Sequence, residues 1–410
     1  VEGRWRLWGD APLDRPRPDA APLEALRTLL RQTAKPDDGS GGGIFQGGWI
    51  GFFGYDLAPL LERLPRRLPR TEGLPDLHLA YYDVFAVEDR ATGRIEVHSV
   101  DRFGEGGSDR RARASELSAL LSAPEVEWDE GSLLRGDVEG EYSAEEYCAA
   151  VERVVEYLKA GDIFQANLSQ KFSGELRGGL PEIWRRARGR SPAPFSAMLR
   201  GRGWGLVSTS PERFLLVEPD GRVETRPIKG TRPRGRSPVV DLYLRDELFR
   251  SAKDDAELTM IVDLERNDLG RVCEFGSVRV AEHRRVESFA NVHHLVSTVE
   301  GRLAEGRDFV DLLQATFPGG SVTGAPKIRA MEIIDELERS RRGVYTGAIG
   351  YISDHGRVDL NVAIRTIVVD GDRASYRVGG GVVADSDPLA EHRETLVKGR
   401  RLRAVLLGED

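Results

Sequence analysis

Lysine is nearly absent from this chain. Its 410 residues include seven Lys (Lys35, Lys159, Lys171, Lys229, Lys253, Lys327 and Lys398) beside fifty-two Arg. Cysteine is scarcer still. Cys148 and Cys273 are the whole complement, which rules out a disulfide framework and a thiolate metal centre and fits a reducing, cytoplasmic setting. No long apolar run exists. The best candidate, 44–61, is interrupted by Gln46 and Asp56, so no membrane span is expected. The N-terminus shows no basic-then-apolar signal pattern, and the chain opens at Val1 without Met, so further residues are expected ahead of it. A net charge of -8 leaves no domain-wide positive field, and a nucleic-acid partner is not expected.

Within what is present, 40% hydrophobic and 31% charged residues describe an ordinary soluble composition with a sizeable core. Residues 35–43 (KPDDGSGGG) read as a flexible loop. The run Gly47-Gly48-Trp49-Ile50-Gly51-Phe52-Phe53-Gly54 needs close backbone approach. Strands are expected over 79–87 and 94–100, and a polar stretch at 126–141 divides an α+β region over 1–125 from a larger unit over 142–410. Ser143 and Glu146 make a capping box for a helix closed by Gly161. Further helices are expected over 240–266, 308–317, 325–339 and 388–406, and strands over 162–172, 205–208, 213–217, 222–225, 277–280, 292–300, 346–352, 358–369 and 374–378. Strands in consecutive runs imply an α+β fold, two packed sheet-and-helix halves with mainly antiparallel sheets and outer helices.

Lys229 stands in a Pro-flanked turn, TRPIKGTRPRG. It is either a solvated turn lysine or a partly buried amine that sheds its proton and acts as base or nucleophile, a role closed to Arg. Two acidic pairs, Asp254 with Glu257 and Glu391 with Glu394, have i, i+3 spacing on expected helices. Brought together they offer hard carboxylate oxygens of the kind Mg²⁺ prefers; apart, they are solvated helix faces. Gly379-Gly380-Gly381 and the Gly319–Lys327 loop could present backbone N–H groups to an anion, although the latter lacks P-loop spacing. Glu212, in Ser210-Pro211-Glu212-Arg213-Phe214, could form an acid–base pair with Lys229 if the fold joins them.

Read together, SPERF, TRPIKGTRPRG, KDDAELTMIVDLERNDLGRV, FPGGSVTGAPKIRAMEIIDELE, YTGAIGYIS, DLNVAIRT and GGGVVADSDPLAEHRETLVK, in this order, resemble the chorismate-utilising enzymes over about 142–407. GGWIGFFGYDL extends the likeness towards the N-terminus. The resemblance implies chorismate as substrate and a Mg²⁺-dependent site, with Glu257 and Glu394 as metal ligands and Glu391 and Asp254 beside them. It implies Glu212 as the acid for the departing 4-hydroxyl and Lys229 as a nucleophile at C2. Arg365, Tyr345 and the backbone of Gly379, Gly380 and Gly381 would bind the enolpyruvyl carboxylate, Gly230 and Thr231 would line the ring, and His294, Ser321 and Lys398 would contact substrate. Lys229 stands where the anthranilate-forming members usually have Ala and resembles the members that make 4-amino-4-deoxychorismate. Gln165 replaces the water-activating Lys of the isochorismate-forming members, which implies ammonia as nucleophile, supplied by a separate glutamine amidotransferase subunit. The opening residues lack the family's leucine–glutamate–serine segment, so tryptophan feedback is not expected.

Overall fold

The computed structural model describes residues 5–9, 22–35, 43–101, 107–124 and 131–409. Residues 36–42 of the expected flexible loop, most of the opening segment and residues 126–130 of the 126–141 boundary lie outside them. The strands begin with β1 (Trp5–Gly9), β2 (Gly48–Phe53), β3 (Leu77–Tyr82), β4 (Val84–Asp89), β5 (Arg94–Ser99) and β6 (Glu139–Gly140). They continue with β7 (Gln165–Glu175), β8 (Phe195–Arg200), β9 (Trp204–Ser210), β10 (Arg213–Val217), β11 (Arg222–Arg226), β12 (Ile228–Pro233) and β13 (Arg279–Ser288). The last are β14 (Val292–Arg302), β15 (Gly324–Ala325), β16 (Ala348–Ser353), β17 (Val358–Val362), β18 (Thr366–Asp370) and β19 (Arg373–Val382). The helices are α1 (Pro22–Thr33), α2 (Gly107–Leu121), α3 (Ala144–Ala160), α4 (Leu180–Arg190) and α5 (Pro238–Arg250). They end with α6 (Ala252–Gly270), α7 (Phe309–Thr316), α8 (Lys327–Leu337) and α9 (Pro388–Leu407). No described helix is long and apolar enough to cross a membrane.

The expected α+β design is what forms, and the strand pairs are antiparallel. A nine-stranded sheet runs β12-β14-β11-β10-β17-β16-β2-β3 with β13 also on β14, and a seven-stranded sheet runs β15-β7-β19-β18-β9-β8 with β6 also on β7. A small third sheet joins β1, β4 and β5. Phe52 and Ile349 of the nine-stranded sheet share a buried cluster with Leu206 and Val368 of the seven-stranded one, so the two large sheets pack against each other there. Leu258, Val262 and Leu313 cover the nine-stranded sheet from α6 and α7, and Leu402 and Leu406 cover the seven-stranded one from α9. Because β2 and β3 complete the nine-stranded sheet, the 126–141 boundary does not separate one sheet from another.

Local chemistry explains the elements. Ser143 and Glu146 form the capping box of α3, and Gly161 ends it in a left-handed conformation at φ 83°. Three expectations need correction. The 79–87 strand divides at Asp83 into β3 and β4, which enter different sheets; Asp83 is buried and held by Arg113 at 3.0 and 3.1 Å. The 240–266 helix divides at Ser251, whose hydroxyl accepts from the Asp254 N–H and starts α6. The 358–369 strand divides between Val362 and Thr366, with Arg365 at φ 51°. Helix α4 and strand β8 carry no counterpart among the sequence-derived elements.

Two junctions between strands position candidate site residues. Between β9 and β10, at Ser210-Pro211-Glu212, the chain passes from the seven-stranded to the nine-stranded sheet. Between β17 and β18, at Ala363–Arg365, it passes back. The two crossings are tied together: the Val362 N–H donates to the Glu212 carbonyl at 3.0 Å and the Thr209 N–H to the Arg365 carbonyl at 3.1 Å.

Candidate active site

Lys229 sits on β12 opposite Leu295, and the register with β14 slips between Lys229 and Thr231. The irregularity is at Gly230, whose φ is 77°. A Cβ there would lie 2.8 Å from the Leu248 and Asp254 side chains, so glycine is required both by conformation and by close approach. Lys229 itself is part-buried. Burial lowers its pKa and Lys398 lowers it further, against Glu257, Glu212 and Glu394, which raise it. An amine held this way exposes its lone pair more readily than a surface lysine.

Glu212 is buried at the first sheet crossing. Burial raises its carboxyl to about 7, against Ser321, Lys229, the Ile228 N–H and Arg365, which pull it down. A carboxyl poised there carries a transferable proton near neutral pH. His294 is buried; its Nδ1 lies 2.9 Å from Thr231 Oγ1. Burial and then Arg365 depress it to about 3, so the imidazole is neutral. Arg365, at the second crossing, is lowered to about 10 by burial and Arg401 with Glu212 opposing. Tyr345 is also buried, and burial raises its hydroxyl to about 12 with Arg342 opposing.

The wall opposite is built by β7 and β19. Gly379, Gly380 and Gly381 pair on one side with Ser169, Leu168 and Asn167. Strand β18 accompanies β19 only to Tyr376, so their other edge has no strand partner among the described residues. A Cβ at Gly381 would strike Gln165 Nε2, and one at Gly379 would lie 2.8 Å from Asn167 Oδ1. Gln165 Oε1, Asn167 Oδ1, Glu212 Oε1, His294 Nε2 and Ser321 Oγ are all buried without a hydrogen-bond partner. Leaving one such atom unmade costs about 1–3 kcal/mol, so five of them in one region describe a cradle for a polar molecule. Asn167 escaped the sequence reading. Its signal was its place two residues after Gln165 on one strand, hence on the same face.

The carboxylates come from α6 and α9. Glu391 is buried and accepts from the Ser386 hydroxyl at 2.7 Å. Burial raises Glu391, and Glu394 adds to the rise. Glu257 is raised by burial, with Lys229 and Lys253 opposing and Asp254 and Glu394 adding. Burial also pushes Glu394 up, but Lys398, Lys253 and Lys229 outweigh it and hold the carboxyl below its ordinary value. Gly380 faces this cluster, since a Cβ there would lie 3.1 Å from Glu391 Oε2 and 3.6 Å from Glu394 Oε1. The four acidic residues do not converge as one set: no three His, Cys, Asp or Glu side chains among the described residues group closely enough to hold an ion. Asp254 instead binds Arg232 at 3.1 Å. The donors still suit Mg²⁺, which takes one or two carboxylates and completes its shell with water and substrate oxygens; the repulsion Glu394 exerts on Glu257 and Glu391 is what a dication relieves. Lys253 joins Lys229 and Lys398 around the carboxylates, whereas Lys327 is anchored away from them on Asp268 and the Thr316 carbonyl.

Comparison with known proteins agrees with this arrangement. The sequence profile of the chorismate binding enzymes matches residues 5–404. Anthranilate synthase component 1 1 of Haloarcula marismortui is 44% identical over 372 residues, 87% of this chain and 75% of that protein. Aminodeoxychorismate synthase component 1 of Klebsiella aerogenes is 43% identical over 358 residues, 87% of this chain and 77% of that protein. The crystal structure of anthranilate synthase component I from Streptococcus pneumoniae superposes with a TM-score of 0.86 at 32% identity, covering 98% of this chain and 93% of that one.

Proposed function

The chain belongs to the family of chorismate-binding enzymes, and from that premise we propose that it is an aminodeoxychorismate synthase component I, converting chorismate and ammonia to 4-amino-4-deoxychorismate. The observation that carries the reading is Lys229, part-buried with a depressed pKa and electrostatically linked to Glu212, Glu257 and Glu394. Relatives named for both activities match at nearly equal identity, so the choice rests on this residue.

In the proposed reaction the Lys229 amine adds to C2 of the ring, both ring double bonds shift, and the C4–O bond breaks. Glu212 gives its proton to the departing hydroxyl, which leaves as water. Ammonia then adds at C4, the C2–N bond breaks, and Lys229 returns. Over the cycle ammonia loses one N–H proton, which restores Glu212. Arg365 and Tyr345, with the free edge of Gly379–Gly381, receive the enolpyruvyl carboxylate. Gly230, Thr231 and His294 line the ring, and Ser321 and Lys398 hold its polar groups. Glu257 and Glu394, with Glu391 beside them, would hold Mg²⁺, which when bound would supply Lewis-acid polarisation of the ring carboxylate. Ammonia comes from a glutamine amidotransferase subunit acting beside this chain.

The test is to incubate the protein with chorismate, Mg²⁺ and ammonium and to identify the product by mass. Anthranilate as the main product would replace this reading with anthranilate synthase component I, which the identity to relatives of that name favours equally. A non-catalytic chorismate-binding role predicts no product at all and a cellular function unchanged in Lys229→Ala.

A further inference from the structure

Arg342 is almost fully enclosed, and none of the chemistry above uses it. Its side chain is 1% exposed and that of its partner Glu338, at the end of α8, is 0% exposed. All five guanidinium N–H groups have acceptors. Nε donates to both Glu338 oxygens at 3.2 and 3.1 Å, Nη1 to the Val322 carbonyl at 3.0 Å and to Thr346 Oγ1 at 3.1 Å, and Nη2 to the Asn167 carbonyl and to Glu338 Oε1. Glu338 Oε1 in turn accepts from the Ser169 N–H and hydroxyl at 2.9 and 2.7 Å. The guanidinium lies 4.7 Å from the Tyr55 ring centre and 5.7 Å from that of Tyr345.

Two of the acceptors belong to segments that carry unpartnered atoms of the cavity, and a third, Thr346, adjoins a proposed substrate-binding residue. Val322 follows Ser321, Asn167 is itself one of the set, and Thr346 follows Tyr345. Thr346 is also held at φ 61°, a left-handed conformation that is an outlier for a β-branched residue, and such strain persists only where surroundings impose it. Its N–H donates to the Ala363 carbonyl at 2.9 Å, two residues before Arg365.

We propose that Arg342 is a positioning residue, a clamp whose planar fork fixes Asn167, Ser321 and Tyr345 relative to one another and so sets the shape of the substrate cavity. A lysine keeps the charge but cannot serve this set of acceptors from one plane. The proposal rests on reading the cavity as a chorismate site. The experiment measures chorismate affinity by calorimetry, and kcat and KM, for wild type, Arg342→Lys, Thr346→Val and Thr346→Ser, alongside thermal melts. Thr346→Val keeps the Arg342–Glu338 pair and the β-branched shape and removes only the hydroxyl, which accepts from Arg342 and donates to the Tyr345 carbonyl at 2.6 Å, so it tests the clamp where Arg342→Lys does not fold.

The clamp predicts a fall of about 100-fold in kcat/KM for folded Arg342→Lys, the size expected for misplaced substrate-positioning groups. It predicts about tenfold for Thr346→Val and recovery in Thr346→Ser, which restores the hydroxyl. Variants that melt lower yet retain wild-type affinity, kcat and KM overturn the clamp and leave Arg342 a stabilising residue. Absence of chorismate binding by the wild type overturns the reading beneath it as well.

Discussion

Lys398 reaches back one turn of α9 to Glu394, placing its Nζ 2.7 Å from Glu394 Oε1 and 3.0 Å from the Gly379 carbonyl. The pair is about half exposed, 47% and 49%, and an i, i+4 pair on a helix is worth only about 0.3–0.5 kcal/mol. A divalent cation can therefore take over that oxygen at little cost. Glu257→Gln and Glu394→Gln are each expected to lower Mg²⁺-dependent turnover at least about 100-fold while the melting temperature stays near wild type. The check is kcat against Mg²⁺ concentration beside a thermal melt, and wild-type turnover in either variant would refute the assignment.

Lys229→Ala and Lys229→Arg are expected to lose about a thousand-fold or more in kcat, as removal of a nucleophile does. Arg fails with Ala because guanidinium stays charged. Intact-mass measurement of the protein with chorismate and without ammonia should find an adduct in the wild type and none in either variant. An adduct that persists in Lys229→Ala places the nucleophile elsewhere.

Glu212 gives a prediction with two opposite signs. Its folded carboxyl is at about 7 against an ordinary 4.5, so between these values the folded chain keeps a proton that the unfolded chain has released. The stability this group contributes is full below about 4.5 and is lost as pH rises towards 7. Glu212→Gln cannot ionise, and above pH 7 it is expected to be more stable than wild type by up to about 3 kcal/mol. Its turnover should fall by about 10²–10⁴-fold, the usual worth of a general acid. Urea unfolding and rate profiles over about pH 4–9, which contains the whole window of the shift, test both signs. A variant with both stability and activity unchanged would remove Glu212 from the mechanism.

Gly230→Ala should damage the protein twice. The left-handed conformation costs a non-glycine residue about 1–2 kcal/mol, and the new Cβ meets Asp254 and Leu248 at 2.8 Å. Chemical denaturation should register at least the first amount, and turnover should fall at least about tenfold because relief of the clash straightens the bulge that aims Lys229. Unaltered turnover would separate the bulge from the chemistry.

Many residues of the candidate site stand out in the sequence because they sit in short ordered motifs whose chemistry is unusual for the chain around them. Lys229 stood out against fifty-two Arg; Ser143 with Glu146 and Gly161 marked both ends of α3. Other features were hidden for physical reasons. The segment 358–369 (VDLNVAIRTIVV) holds no Gly or Pro to break a strand, and side-chain periodicity cannot say which of two sheets a strand joins, so the crossing at Arg365 was invisible. Ser251 lies inside a continuous helical pattern and reveals itself only by capping α6. Asp254 and Glu257 share a helix face, yet Arg232, on β12, takes Asp254. Nothing in the sequence sets Arg342 apart from the other arginines; its pairing with Glu338 has ordinary i, i+4 spacing, and its enclosure depends on Val322 and Asn167, which are distant in the chain.

The place of β2 in the nine-stranded sheet has a consequence for handling the protein. Gly48–Ser353 to Phe53–Ala348 is a continuous register with β16, and β3 lies on its far side. A fragment starting at residue 131 would strip both strands and leave β16, with Ile349 and Ile352 in its middle, as a raw edge. Bare edges of that kind recruit other chains. The larger unit expressed alone should therefore assemble into insoluble stacks, even though all the candidate site residues, from Gln165 to Lys398, would be present.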